Sequence, residues 1–158
     1  MLAKTHILER EQMIPLPIGE VFEFFSRPDN LQAITPAWLD FRILDATEPL
    51  RKGALIRYAL RWRGIPLRWT TEITEWDPPH GFVDTQISGP YVLWRHQHRF
   101  TADGSGTRIN DTVSYILPFG ALGAVVHRAF VKRDLQAIFD HRQQRVRELL
   151  RPGLGREG

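Results

Sequence analysis

Residues 91–117 read Tyr-Val-Leu-Trp-Arg-His-Gln-His-Arg-Phe-Thr-Ala-Asp-Gly-Ser-Gly-Thr-Arg-Ile-Asn-Asp-Thr-Val-Ser-Tyr-Ile-Leu. Two alternating runs flank Ala102-Asp103-Gly104-Ser105-Gly106, a turn signal, so the stretch predicts an antiparallel hairpin. Side chains alternate across a strand, which sets Val92, Trp94, His96, His98 and Phe100 on one face and Ile109, Asp111, Val113, Tyr115 and Leu117 on the facing one. With Ala102 opposite Thr107, Phe100 meets Ile109, His98 meets Asp111, His96 meets Val113 and Trp94 meets Tyr115. Directly opposed side chains touch. An otherwise apolar, aromatic face therefore carries two imidazoles and a carboxylate.

Upstream of the hairpin, His6 to Ile14 reads as a first strand, ended by Pro15 and Pro17. Val21, Phe22, Phe24 and Phe25 at helical spacing predict a short amphipathic helix over 18–26, and Asp29 to Ile34 a second. From Trp38 the period drops to two. Leu39, Phe41 and Ile43 mark a strand, Ala54 to Trp62 and Ile65 to Trp76 two more, and Phe82 to Ser88 another. Pairing about Arg63-Gly64 sets Trp62 opposite Leu67, Leu60 opposite Trp69, Tyr58 opposite Thr71 and Ile56 opposite Ile73. Arg57, Arg61, Arg68, Glu72 and Thr74 fall on the other face, the pattern of an antiparallel sheet with one wet side. After Pro118-Phe119-Gly120, residues 121–150 predict one long helix with Leu122, Val125, Val126, Phe130, Leu135, Phe139 and Val146 on its apolar side. Its polar end, Arg142 to Arg147, is expected in solvent. Residues 1–151 are expected to form one domain and 152–158 a frayed tail.

The bulk numbers exclude several classes. A chain of 158 residues fits one domain. It holds no cysteine, which removes disulfides and thiolate metal sites. No apolar run approaches the roughly 18 residues of a membrane span, and the N-terminus lacks the apolar segment of a secretory signal. A cytoplasmic location is the expectation. The pI is near 9.7, yet Lys and Arg form no compact block, so the charge reads as solvated faces and no nucleic-acid partner is expected. Arg57, Arg61, Arg63 and Arg68 make the densest basic patch, on the outer sheet face. Gly104 and Gly106 are turn glycines rather than a phosphate loop, and no serine nucleophile elbow is present.

The order strand, two short helices, six strands, long helix resembles the helix-grip fold of the START, polyketide cyclase and plant allergen superfamily, SRPBCC. The resemblance rests on Ile14-Pro15-Leu16-Pro17 with Glu20-Val21-Phe22-Glu23-Phe24-Phe25, on Pro28-Asp29-Asn30-Leu31, and on Gly53. Gly89-Pro90-Tyr91 with Trp94-Arg95-His96-Gln97-His98-Arg99-Phe100, Asp111-Thr112-Val113-Ser114-Tyr115, Leu117-Pro118-Phe119-Gly120 and Ile138-Phe139-Asp140-His141-Arg142 resemble its cyclase/dehydrase-like, ligand-binding branch. The resemblance implies an α+β fold: a curved antiparallel sheet of about seven strands around the terminal helix, with an elongated cavity between them.

Residues on the inner sheet face are then the candidates for a site. Tyr58, Leu60, Trp62, Trp69, Thr71, Trp94, His96, Val113 and Tyr115 are expected to bind a small hydrophobic molecule: a lipid, an isoprenoid or an aromatic polyketide-like compound. An apolar concave wall with a few convergent polar groups is the usual form of such a site. His98 opposite Asp111 is the candidate catalytic pair, a carboxylate orienting an imidazole for acid–base work. Three readings follow: a carrier or sensor, a cyclase or dehydratase using His98 and Asp111 with His96 or Tyr115, and a protein-interaction module without a ligand. A metal bound by His96, His98 and Asp111 is disfavoured. Residues two apart on a strand stand roughly 7 Å from each other, long for two ligands about 2 Å from one ion. No metal and no cofactor is expected.

Overall fold

The computed structural model describes residues 3–153. Residues 154–158 of the expected tail lie outside them. Seven antiparallel strands form one sheet in the order β1-β7-β6-β5-β4-β3-β2. They are β1 (His6–Ile14), β2 (Arg42–Ala46), β3 (Leu55–Trp62), β4 (Ile65–Asp77), β5 (Gly81–Ser88), β6 (Leu93–Asp103) and β7 (Gly106–Ile116). Helices α1 (Ile18–Phe25) and α2 (Pro28–Ala33) follow β1. The C-terminal helix is continuous through α3 (Gly120–Val126), a π-helical turn (His127–Val131) and α4 (Lys132–Leu149). The curved sheet grips this helix, and the fold is the expected helix-grip.

Local chemistry places the elements that close one end. Pro17 precedes α1 with φ −59°, a φ the ring already holds, and Pro28 occupies the first turn of α2, where its missing N–H costs nothing. Val21 and Phe22 turn inward. The Phe22 ring packs edge-on against Trp76, Phe82 and Phe100. Together with Ile14, Ile73, Ile109 and Val146 they make one apolar core cluster.

The hairpin of residues 91–117 has the expected register: Phe100 pairs with Ile109, His98 with Asp111, His96 with Val113 and Trp94 with Tyr115. The β3–β4 register differs from the expectation by two residues. Trp62 pairs with Ile65, Leu60 with Leu67, Tyr58 with Trp69 and Ile56 with Thr71. The turn is the two residues Arg63 and Gly64 alone, both at positive φ, 51° and 82°, the twist that two-residue hairpins favour. A shift of two preserves which face each side chain takes, so the inward set is unchanged.

The helix departs from a straight amphipathic stripe. Leu122, Val125 and Phe130 are exposed, whereas Gly123, His127, Val131, Leu135 and Phe139 are buried. Buried positions thus recur every four residues across the π turn, wider than the 3.6 of a regular α-helix. Arg142 corrects the expectation of a solvated polar end: it is 9% exposed. No helix among the described residues is long and apolar enough to cross a membrane. Three of the four arginines of the outer basic patch are paired, Arg57 at 3.3 Å from Asp45, Arg61 at 3.7 Å from Asp40 and Arg63 at 3.0 Å from Asp134.

Candidate functional site: a cavity with a buried His-Asp-Arg cluster

A cavity of about 460 Å³ lies between sheet and helix. Tyr58, Leu60, Trp62, Trp69, Thr71, Trp94, His96 and His98 stand on its sheet wall, and Val131, Leu135, Ile138, Phe139 and Arg142 on its helix wall. Phe25, Leu31 and Ile34 close the end under α1 and α2. Pro118, Phe119 and Leu122 border the other. Asp111, Val113 and Tyr115 do not line it, which corrects their expected place on the wall. They face inward on β7 and are buried, but β7 sits where the helix packs down on the sheet. The Tyr115 hydroxyl lies 2.7 Å from His127 Nε2. Trp62 Nε1 donates to Asp134 Oδ2 at 2.7 Å and so ties the β3 hairpin to α4.

The polar cluster is built by three adjacent strands and one helix. Asp84 on β5 pairs across from His96, and Asp111 on β7 across from His98. The short hydrogen bonds nevertheless run diagonally. His96 Nε2 is 2.8 Å from Asp111 Oδ1, and His98 Nε2 is 2.6 Å from Asp84 Oδ2. The complementary distances are longer: His98 Nδ1 is 3.3 Å from Asp111 Oδ1, and His96 Nδ1 is 3.9 Å from Asp84 Oδ2. The two imidazoles stack with centroids 3.7 Å apart, and Phe82 stacks on His98 at 4.1 Å. The sheet can come this close because position 81 is glycine. A Cβ there would sit 2.2 Å from the His98 carbonyl oxygen. Arg142 enters from α4, with Nη2 3.4 Å from His98 Nδ1 and 4.0 Å from Asp111 Oδ1. Its guanidinium lies 5.5 Å from the Phe25 ring centre and 5.7 Å from that of Phe139.

These contacts set the protonation states. Burial alone would raise both carboxyls. For Asp84 the His98 hydrogen bond and the nearby cations outweigh it, and its pKa falls below the usual value. For Asp111 the hydrogen bonds from His96 and His98 and the charge of Arg142 do so, more strongly. Burial and then the charge of His98 push His96 down to about 4. Burial opposes the His98 cation too, but hydrogen bonds and charges of Asp111 and Asp84 prevail and raise it. Like-charged neighbours cannot both ionise easily, so within the stacked pair His98 takes a proton more readily than His96. Two carboxylates then face one guanidinium and the stacked imidazoles.

Ligand atoms of Asp84, His96 and His98 lie within 4.8 Å of one another. The spacing argument against a metal therefore fails, because the side chains lean together. The stacked rings give a different reason for disfavouring one. Imidazole lone pairs lie in the ring plane, so planes tilted by only 25° aim them side by side rather than at one point. The arrangement suits proton sharing and hydrogen bonding.

Sequence reasoning missed Asp84 and Arg142. Alternation along β5 put Asp84 in line with Phe82 and Gln86, a signal present but unused. For Arg142 the signal was its place between Phe139 and Val146 at helical i, i+3, i+7 spacing.

The chain belongs to the family described as polyketide cyclase/dehydrase and lipid transport, whose model matches residues 5–147. It is thus a member of the SRPBCC superfamily. No curated protein matches its sequence. Among solved structures it is similar to the ZhuI aromatase/cyclase of Streptomyces sp. R1128, at 16% identity and a TM-score of 0.70 over 96% of this chain and 99% of that one. A norcoclaurine synthase mutant of Thalictrum flavum follows at 13% and 0.69 over 94% and 98%. Protein CV1439 of Chromobacterium violaceum matches at 12% and 0.73 over 92% and 97%. Likeness at such identity establishes the shared fold.

Proposed function

We propose that the protein binds a small hydrophobic molecule in this cavity, as a carrier or sensor, with the Asp84-His96-His98-Arg142 cluster receiving a polar handle. One observation carries the reading: the cavity is about 460 Å³, within the roughly 300–1,000 Å³ of small-molecule sites, and its polar groups converge on one place. The ligand class is a lipid, an isoprenoid or an aromatic polyketide-like compound. The test is titration with N-phenyl-1-naphthylamine, an uncharged dye that brightens in apolar surroundings. The wild type saturates at one dye per chain. Leu135→Trp, which fills the cavity from the helix side, binds at least tenfold more weakly while staying folded. Equal binding by both proteins overturns the reading.

A second reading, acid–base catalysis of a cyclisation or dehydration, is favoured by the cavity-facing His98 held at 2.6 Å by Asp84. The expected partner Asp111 reaches the cavity only through the imidazoles. Under this reading a ligand recovered from purified His98→Gln protein is converted on incubation with wild type. It is bound but left unchanged by His98→Gln.

A further inference from the structure

A helix on the surface of a globular domain ordinarily turns polar side chains outward. α3 does not. Its sequence, Gly-Ala-Leu-Gly-Ala-Val-Val, holds no polar side chain, and neither does the Leu117-Pro118-Phe119 that leads into it. Phe119, Leu122 and Val125 are 79%, 64% and 62% exposed. Phe119 and Leu122 also line the hollow, as does Ile65 beside the tip of the β3–β4 hairpin, itself 52% exposed. Side chains that face both the cavity and the outside mark its mouth. The hairpin tip and the helix meet nearby, where the Arg63 guanidinium lies 4.6 Å from the ring centre of Phe130, another exposed aromatic. Apolar side chains scattered singly over a surface are ordinary, but a cluster of them marks an interaction site.

Charge beside this rim has one sign. From Thr112 to Arg133 the chain holds no Asp or Glu. Arg128, Lys132 and Arg133 are exposed, and among the described residues none of the three is ion-paired. Buried positions recur every four residues here, so the other flanks of the helix run in fours as well. Val125 and Arg133 therefore share the outward line, and Arg128 and Lys132 the line next to it.

We infer that the α3 end of the protein docks on an anionic membrane surface, with Phe119, Leu122 and Val125 entering the interface and Arg128, Lys132 and Arg133 facing lipid phosphates. An apolar helix face with bases beside it is the pattern of an interfacial helix, and each base near an anionic leaflet adds to the attraction. The docking stands on exposure and charge. It rests on the ligand-binding reading only for its purpose: a mouth pressed to lipid lets an apolar molecule pass without crossing water. A second copy of the chain fits the patch less well. In a two-fold contact the patch meets itself, which brings the bases of both copies together with no acid to answer them.

Co-sedimentation with vesicles of phosphatidylcholine, alone or mixed with phosphatidylglycerol, tests this. The wild type binds the mixed vesicles roughly tenfold or more tighter than the neutral ones, and added salt narrows the difference. The triple variant Arg128→Gln/Lys132→Gln/Arg133→Gln loses that preference, and Val125→Ser binds both kinds of vesicle more weakly. Neither variant alters the cavity wall, so both keep wild-type affinity for N-phenyl-1-naphthylamine measured without vesicles. A wild type that binds the dye but not the mixed vesicles overturns the docking and leaves the cavity reading standing. So does a triple variant that prefers mixed vesicles as strongly as wild type. A wild type that sediments as a dimer, and as a monomer in Val125→Ser, puts a second copy on the patch and overturns the docking too. Vesicle binding with the expected preference by a wild type that fails to take up the dye upholds the docking and removes the cavity reading.

Discussion

The two ends of the molecule's interior are made of the same kinds of residue and differ in how they are filled. Under α1, Phe22, Phe100, Ile14, Ile109 and Val146 pack into a solid core, none of them on the hollow's wall. Toward α3, Trp69, Trp94, Leu135 and Phe139 form a second cluster, and these side chains line a hollow. The His-Asp-Arg cluster stands between them, with Phe82, shared by the first core and the hollow's wall, stacked on His98 and Phe139 of the hollow end 5.6 Å from His96. The contrast teaches that apolar burial alone does not mark a binding wall. What marks it is the part of the interior that neighbouring side chains leave open.

The largest expected effect separates the two ends directly. Phe100→Ala removes a side chain that is 1% exposed and should cost about 3–5 kcal/mol of unfolding free energy in urea melts. Leu135→Ala, on the hollow's wall, should cost about 2 kcal/mol, the low end for such a change. Similar losses at the two positions would break the comparison.

Next comes the pH response of the cluster between them. The folded state resists protonating His96, whose pKa lies near 4 against an ordinary value of 6.5. Its contribution is therefore full above about 6.5 and is lost as pH falls toward 4. His98 has the opposite sign. Its raised pKa stabilises fully below 6.5 and loses that contribution as pH rises through the folded value. Asp84 and Asp111, both lowered, contribute above the ordinary carboxyl pKa and lose that as pH falls through their folded values. His6 and His127, also lowered, act in the same direction as His96. Thermal melts should thus show a decline between pH 6.5 and 4, on the order of 1–3 kcal/mol, reduced but not abolished in His96→Gln. An unchanged decline in that variant would remove His96 from the account.

The smallest effect concerns the strap across the hollow end. Trp62→Phe keeps the ring but deletes the N–H donated to Asp134, and should cost about 1 kcal/mol. Arg63 stays paired with the same carboxylate, so a loss several times larger would mean that the strap supports more than its own hydrogen bond.

Much of this was legible in the order of amino acids. The hairpin of residues 91–117 announced its register because Gly104-Ser105 leaves one natural turn and alternation is strict on both sides. The inward face of β3 and β4 was legible even though their register was read two residues out, since that slip does not turn a side chain over. The bond pattern was not legible. Opposition across β6 and β7 pointed to His98 with Asp111, and only the lean of the side chains and the approach of β5 at Gly81 make the bonds diagonal and bring in Asp84. Arg142 was hidden by its charge, because hydropathy places arginine in water and cannot register a guanidinium buried between Phe25 and Phe139. The π turn was equally silent, and with it the outward turn of Leu122 and Val125.

The central claim, an apolar hollow that accepts a small molecule, is tested most directly by native mass spectrometry of freshly purified protein, repeated under denaturing conditions. The account predicts a chain carrying one extra small-molecule mass that disappears on denaturation and is absent from Leu135→Trp. A bare chain mass under both conditions, unchanged after incubation with lipids, isoprenoids and aromatic polyketides, would contradict it.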